Sequence, residues 1–309
     1  MRLRQLRFLV AVVEEGSFTA AAGRMHATQS GVSAQIKLLE ESLNARLFDR
    51  SVAGVVPTAA GKLAYQRATK ILRETTALMS DLATLQDVVT GTVSAGLMPT
   101  TTRSVVAPVL ERFAARYPEI ELKLEEAYSA HLCEGVVSGR LDFAIVPPSS
   151  PTAGLHATHL DSDVEVFVTS SQSQRKHLAA VDLTKLPALK LILPGPENAR
   201  RLRIEETLRA IDVPIDKIME LDAMMATLDL VTRSDWVTIV PGCLVINDVA
   251  SGVRNLHPIK RPRMSLDYVL VEQASRTLSP AAQLLRDELR NELAEVCRQS
   301  RSQLGASEK

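Results

Sequence analysis

The reading of this chain turns on two runs, Ser17-Phe18-Thr19-Ala20-Ala21-Ala22 and Thr28-Gln29-Ser30-Gly31-Val32-Ser33-Ala34-Gln35-Ile36-Lys37. Ser17 has the side chain of a helix N-cap, whose hydroxyl accepts from an otherwise unpaired N–H of the first turn. Ala20 to Ala22 form helix well, and their small side chains let two short helices cross closely. After Met25 the turn His26-Ala27-Thr28 leads into a further helix, with Thr28 as its cap. That helix sets Val32, Ile36 and Leu39 on one face, continued by Leu43, and offers Gln29, Ser30, Ser33, Gln35 and Lys37 on the other. A short polar face with one cation after a tight turn suits base-edge readout in the major groove. There Gln pairs with adenine and Ser donates or accepts.

Upstream, Leu3, Leu6, Leu9/Val10 and Val13 recur at helical spacing, and Gly16 is placed to end that helix. Downstream, residues 44–58 hold Arg46, Arg50 and Gly54 beside β-branched Val55, Val56 and Thr58. This predicts a small hairpin wing whose arginines touch phosphates. Spacing alone equally fits a generic three-helix bundle with a solvated polar face, because helix-turn-helix patterns are weakly specific.

The residue string adds more. The two quoted runs, followed by Leu39-Glu40, Leu47-Phe48-Asp49-Arg50 and Thr58-Ala59-Ala60-Gly61, closely resemble the winged helix-turn-helix of LysR-type transcriptional regulators. Two positions depart. Ser30 stands where the family usually has Pro, so base preference does not transfer directly. Asn44 stands where it usually has Gly, and Asn tolerates the left-handed conformation nearly as well. The resemblance implies an N-terminal all-α winged helix-turn-helix over 1–58, its helix-turn-helix at 18–37. DNA contacts would come from Thr28, Gln29, Ser30, Ser33, Gln35, Lys37, Arg46 and Arg50.

Charge partitions the same way. The chain of 309 residues carries 36 basic and 36 acidic side chains, a formal net of zero. Residues 1–73 hold 11 basic and 5 acidic side chains. The head is therefore cationic and the remainder anionic, which suggests different partners for the two parts. At this length two or three domains are expected. Three scattered cysteines, Cys133, Cys243 and Cys297, form no CxxC pair and favour a reducing compartment. The apolar stretch Phe8 to Val13 is too short for a signal peptide and ends in Glu14-Glu15, so the expectation is a cytoplasmic protein without membrane contact.

Residues 59–89 read as one long helix. Gly61, Ala64, Ala68, Ile71, Thr75, Leu78, Leu82, Leu85 and Val89 alternate steps of three and four, a heptad seam. Packing against the same chain and self-pairing both fit it. The resemblance implies a dimer linker through Ala64, Ala68, Ile71, Thr75, Leu78, Leu82 and Leu85, giving a homodimer or homotetramer on double-stranded DNA.

From Gly91 onward strands alternate with helices, which predicts a mostly parallel sheet. The pieces Gly91-Thr92-Val93-Ser94-Ala95-Gly96, Gly139-Arg140-Leu141-Asp142-Phe143-Ala144-Ile145 and Thr238-Ile239-Val240-Pro241 resemble the effector domain of the same family. That domain is like type II periplasmic binding proteins, an α/β fold of two subdomains joined by two crossover strands. The expected division is 91–161 plus 267–300 for the first subdomain and 162–266 for the second, with 301–309 a disordered tail. A cleft between them would hold a small carboxylate at helix N-termini, through Thr100, Thr101, Thr102, Ser129, Asn198 and Arg200. Thr at a helix start is equally a cap, and Arg200, Arg201 and Arg203 can simply solvate a helix face.

Residues 54–61, 96–100 and 193–196 are also similar to nitrogen-assimilation control regulators within the family. Some members need no inducer, so an effector-independent regulator stays open. So does a small-molecule sensing or solute-binding module for which DNA is secondary. RNA polymerase is an open further partner.

Enzyme readings are poor. No GxSxG, Walker, HExxH or GxGxxG pattern occurs, and no cofactor is expected. His156 and His159 are three apart in an apparent strand, which sets their rings on opposite faces and argues against a metal pair. His131 with Cys133 reads as a nucleophile pair or, more commonly, as a buried thiol beside a surface ring.

Overall fold

The computed structural model describes residues 1–51, 54–84, 89–148, 154–196, 198–274 and 276–305. It begins with α1 (Leu3–Glu15), α2 (Phe18–Arg24) and α3 (Gln29–Leu43). A two-stranded wing follows, β1 (Phe48–Ser51) antiparallel to β2 (Gly54–Pro57). Leu6, Phe8, Leu9, Val12, Ala21, Val32, Ile36, Leu39 and Leu47 form the core of this head. Leu3, expected on the buried stripe of α1, is exposed; Phe8 and Ala11 are buried instead.

The turns follow local chemistry. Gly16 ends α1 at φ +60°, and Ser17 Oγ accepts from Ala20 N at 3.3 Å to start α2. Asn44 ends α3 in the left-handed conformation at φ +47°. Glu40 then accepts from Leu47 N at 2.6 Å, tying the wing to α3.

Helix α4 runs from Ala59 to Thr84, capped by Thr58 Oγ1 accepting from Gly61 N at 3.0 Å. A Cβ at Gly61 would collide with the Leu47 carbonyl, so glycine lets the helix start against the wing. The heptad seam changes partner along α4. Ala64 and Ala68 pack on the head's own core with Leu72. Ile71 and Leu78 are open, 37% and 58% exposed, and Thr75 is half-buried. The Leu82 side chain and residue Leu85 lie outside what is described.

The rest is α/β. In order come β3 (Gly91–Leu97), α5 (Pro99–Thr101), a π-helical stretch (Thr102–Val106), α6 (Ala107–Arg116), β4 (Ile120–Glu126), α7 (Ser129–Ser138), β5 (Phe143–Val146) and β6 (Leu155–Ser170). Next are β7 (Val181–Asp182), β8 (Leu189–Leu193), α8 (Ala199–Ala210), β9 (Ile215–Glu220), α9 (Met224–Arg233), β10 (Thr238–Pro241) and α10 (Gly242–Val245). The chain closes with β11 (Arg254–Arg261), β12 (Ser265–Gln273) and α11 (Pro280–Leu304).

The sheet is mixed rather than mostly parallel. Strands β4, β3 and β5 are parallel, but β12 is antiparallel to both β5 and β6, and β10 and β11 are antiparallel to β6. Strand β8 is parallel to β9, and Leu191 of β8 bridges Val237 beside β10. The long strands β6 and β12 belong to both lobes and pass through the middle side by side, with Ser162 opposite Asp267. They are the crossover that makes two subdomains of one chain. Helix α11 runs on past its expected end to Leu304, whose side chain is fully buried, so residues 301–304 are helix rather than tail.

Candidate nucleic-acid interface and effector cleft

The turn into α3 is built by two local devices. His26 takes φ +48°, and Thr28 Oγ1 accepts from Gly31 N at 3.1 Å. The cap leaves Thr28, Gln29, Ser30 and Lys37 exposed, with Ser33 half-buried beside them. At about 100° per residue the side chains of Gln29, Ser30, Ser33 and Lys37 share one arc of α3, with Gln29 at the edge of the arc beside buried Ile36 and the other three turned away from the stripe of Val32, Ile36 and Leu39. Gln35 does not join them. It sits about 160° round the helix from Lys37, next to the buried stripe, and is half-buried. The sequence reading places Gln35 on the polar face because it is polar, but its register says otherwise.

In the wing, exposed Arg46 donates through Nε to Phe48 O at 3.1 Å and lies 3.6 Å from Asp49. Its charge is at the surface but partly balanced. The Arg50 side chain lies outside what is described. Behind the head, Arg24 pairs with Glu14 at 2.6 Å, and the Tyr65 hydroxyl donates to Glu14 at 3.1 Å. Burial, then Glu14, pushes the Tyr65 hydroxyl up to about 12.

The second region lies between the subdomains. Thr100 and Thr101 are buried and Thr102 half-buried at the start of the α5 to α6 helical run. Thr101 Oγ1 donates to Met98 O at 2.9 Å, a local cap bond, and Thr102 Oγ1 donates to Glu126. Thr100 Oγ1 is buried with no hydrogen-bond partner. Because a buried hydroxyl normally finds one, Thr100 is a candidate ligand contact. The π-helical stretch after it is a distortion that recurs at functional sites. Helix α7 starts at Ser129 without a side-chain cap, so its first N–H groups are open.

On the facing lobe, Asn198 Oδ1 caps α8 by accepting from Arg200 N at 3.0 Å. Arg200 itself is not free. It is only 6% exposed and grips Glu165 through two bonds, at 3.0 and 3.1 Å, with a further bond to the Ile239 carbonyl. The expected free cation of the cleft is thus spent on a partner 35 residues away. Sequence reasoning also missed Tyr128 and Asp222. Burial, then the charge of Asp222, raises the Tyr128 hydroxyl to about 12. Asp222 accepts from Gly195 N at 2.8 Å. This carboxylate comes from the second subdomain and Tyr128 from the first, so the contact crosses the cleft. No local sequence signal marks it.

At the floor of the crossover, α10 lies against the first subdomain. Arg103 pairs with Asp248 at 2.5 Å, and Cys243 N donates to Asp163 at 2.6 Å. Burial pushes the Cys243 and Cys297 thiols well up from their ordinary values, the opposite of an activated nucleophile. Cys133 is buried, and His131 pairs with Glu125 at 2.8 Å. His156 and His159 both lie in β6, and among the described residues no group of side chains is arranged to hold a metal. No described helix is long and apolar enough to cross a membrane.

An exposed polar helix face after a capped turn, carried by a long helix from a two-lobed α/β body, defines a DNA-binding regulator with a ligand-responsive domain. Residues 3–62 match the "Bacterial regulatory helix-turn-helix protein, lysR family", and residues 86–294 match the "LysR substrate binding domain". The chain belongs to the LysR family, and it is a DNA-binding transcriptional regulator with an effector-binding domain. It is 30% identical over 288 residues to the nitrogen assimilation regulatory protein nac of Escherichia coli (strain K12), covering 93% of each chain. Among solved structures, it is similar to a full-length OxyR variant from Pseudomonas aeruginosa, with a TM-score of 0.74, 21% identity, and 100% and 99% of the two chains covered. Full-length CbnR with its target DNA gives 0.66 at 20% identity, covering 94% and 100%. These two likenesses concern the fold.

Proposed function

We propose that α3 reads operator DNA in the major groove through Thr28, Gln29, Ser30, Ser33 and Lys37, while Arg46 and Arg50 of the wing touch phosphates. The observation that carries this is the exposed, unspent polar side of α3 directly after its cap. Gln29 and Ser30 supply base-edge donors and acceptors; Lys37 and the wing supply charge. Two heads are brought together by the open part of the α4 seam, Ile71, Thr75 and Leu78, rather than by Ala64 and Ala68, which the head's own core covers. The protein works in the cytoplasm and carries out no catalysis. A footprint of the full chain on its own upstream region, repeated across salt concentrations, tests this. Absence of any salt-sensitive, sequence-specific protection there and in a genomic library overturns it.

The effector site is the cleft, with Thr100, Tyr128, Ser129 and the open N-terminus of α7 on one side and Asn198 and Asp222 on the other. A small carboxylate fits the α7 N–H groups, but it must displace Asp222 from Tyr128. Closing or opening the cleft then shifts the population of subdomain arrangements. The change reaches α4 through Arg276, which lies 2.7 Å from Glu74 and 3.4 Å from Asp142. Thermal shifts across a panel of small carboxylates test this.

A second reading has its own observation. Asp222 already supplies a carboxylate across the cleft, so the contact with Tyr128 can hold the lobes without any ligand. This is the effector-independent regulator. Asp222→Asn separates the two readings: with no effector it should alter DNA binding only if Asp222 is the internal clasp.

A further inference from the structure

The turn after β6 and the end of α9 enclose a cavity of about 310 Å³, at the lower end of the range for small-molecule sites, about 300–1,000 Å³. Its wall holds the only tryptophan of the chain, Trp236, together with Gln172, Arg233 and Asp235. The walls are fixed by bonds that leave much of the lining free. Ser170 Oγ donates to Thr232 O at 3.0 Å and ties the end of β6 to the end of α9. Ser234 Oγ donates to Leu230 O at 2.6 Å and accepts from Trp236 N at 3.3 Å, which sets the half-buried Trp236 just past the helix. Val237 N donates to Lys190 O at 2.9 Å and holds buried Val237 against β8.

What remains unspent is a set of donors. Asp235, the one carboxylate among the lining residues, pairs with Lys190 at 2.6 Å. Arg233 is exposed, and among the described residues it has no ion pair or hydrogen bond, not even to Asp229 one turn back on α9. The Gln172 amide and the Trp236 indole N–H have no partner among the described residues either. The free charge of the cavity is therefore a single guanidinium, and it shares the wall with a single indole. A guanidinium is a forked donor that matches carboxylate and phosphate oxygens. An indole stacks flat rings.

We propose that this cavity is a second ligand site, separate from the cleft, for a flat aromatic ring that bears an anionic group, the ring held by Trp236 and the anion by Arg233. Helix α9, 10 residues and about 15 Å long, begins two residues after Asp222 of the cleft and ends at Arg233. The two sites thus stand at opposite ends of one helix and do not overlap. An aromatic carboxylate and a nucleoside monophosphate both carry the required chemistry.

The test uses the full chain with two anionic probes, benzoate and adenosine monophosphate, against benzamide, adenosine and sodium chloride of equal ionic strength. The single tryptophan makes its fluorescence a local readout, excited at the red edge of the indole band where the probes do not absorb, and calorimetric titration gives the affinity. A saturable fluorescence change is expected with at least one anionic probe and none with chloride. Binding of benzoate alone assigns an aromatic carboxylate, of adenosine monophosphate alone a nucleotide, and of both the shared ring and anion. Arg233→Gln should weaken binding about tenfold or more, with unchanged melting in chloride. Trp236→Leu, followed by calorimetry, should weaken it as well, and Trp236→Phe, which keeps a ring, should fall between. Thr100→Val, in the cleft, should bind the probes as the parent does. The proposal is overturned if neither anionic probe binds beyond chloride, if benzamide or adenosine binds as tightly as its anionic counterpart, if binding survives Arg233→Gln or Trp236→Leu unchanged, or if Thr100→Val abolishes it.

Discussion

The reading head and the cleft treat their polar side chains in opposite ways. On α3, Gln29, Ser30 and Lys37 stand in solvent, and the only described side-chain bond among the first of them is Thr28 to Ser30 at 3.3 Å. In the cleft, Arg200 is locked on Glu165, Thr102 on Glu126, and Asp222 on Gly195, with the Asp222 charge facing the Tyr128 hydroxyl. The head is therefore complete without its partner and waits for DNA. The cleft is matched within itself, so a ligand gains only the difference between its contacts and those it displaces. Thr100 Oγ1 is the exception, a buried group with its bond unmade.

The largest expected effect comes from breaking the match. Arg200→Ala leaves Glu165 buried and unpaired, which costs about 3–5 kcal/mol. Urea unfolding of the variant should show this loss in the effector domain, while Gln29→Ala unfolds like the parent. A loss for Arg200→Ala below about 1 kcal/mol, the worth of an exposed pair, would break the comparison and return Arg200 to the effector.

Acid should act on the body through one buried imidazole. His257 is fully buried between Thr169 Oγ1 at 3.0 Å and Ala179 O at 3.2 Å, and burial lowers its pKa from 6.5 to about 4. The unfolded chain takes up a proton near 6.5 that the folded chain refuses until about 4. Stability from this group is thus complete above pH 6.5 and is lost as pH falls toward 4, by at most about 1.4 kcal/mol per pH unit. Unfolding followed between pH 7 and 4.5 checks this (conditions spanning roughly that window), and His257→Gln should flatten the slope. An unchanged slope assigns the acid sensitivity to other groups.

What the sequence made legible follows the same division. The head is written in local signals: Thr28 caps three residues on, Asn44 supplies its own left-handed turn, and the buried stripe of α3 repeats every turn. The cleft is made of pairs distant in sequence, Arg200 with Glu165 and Tyr128 with Asp222, which no spacing rule connects. Strand β11 carries no such signal because Arg254, His257 and Pro258 break the apolar pattern, although all three are buried there. The α4 seam was visible, but a heptad repeat reads alike whether the covering helix is the chain's own α1 or a second copy. Only exposure separates Ala68 from Leu78.

Within the head, Gln29→Ala should reduce discrimination between operator and random duplex by about 1–3 kcal/mol, the worth of one good base-edge pairing. Lys37→Gln should weaken both alike and lower the slope of log K against log salt by about 0.9, one phosphate contact. Competition binding at several salt concentrations distinguishes them. If Gln29→Ala instead behaves like a lost phosphate contact, Gln29 positions the helix and Ser30 or Ser33 reads the bases.

The smallest effect expected is the sharpest check on register. Gln35 shares its chemistry with Gln29 and its helix with Lys37, yet it lies on the half-buried flank of α3. Gln35→Ala should leave discrimination and salt slope unchanged, with stability moved by no more than the about 1 kcal/mol of a typical point change. The same competition assay measures it beside Gln29→Ala. A loss of discrimination equal to that of Gln29→Ala would mean that α3 lies in the groove rolled by nearly half a turn. Exposure in the free protein would then be no guide to which side meets DNA, and the contrast between an open head and a self-matched cleft would fail at its clearest point.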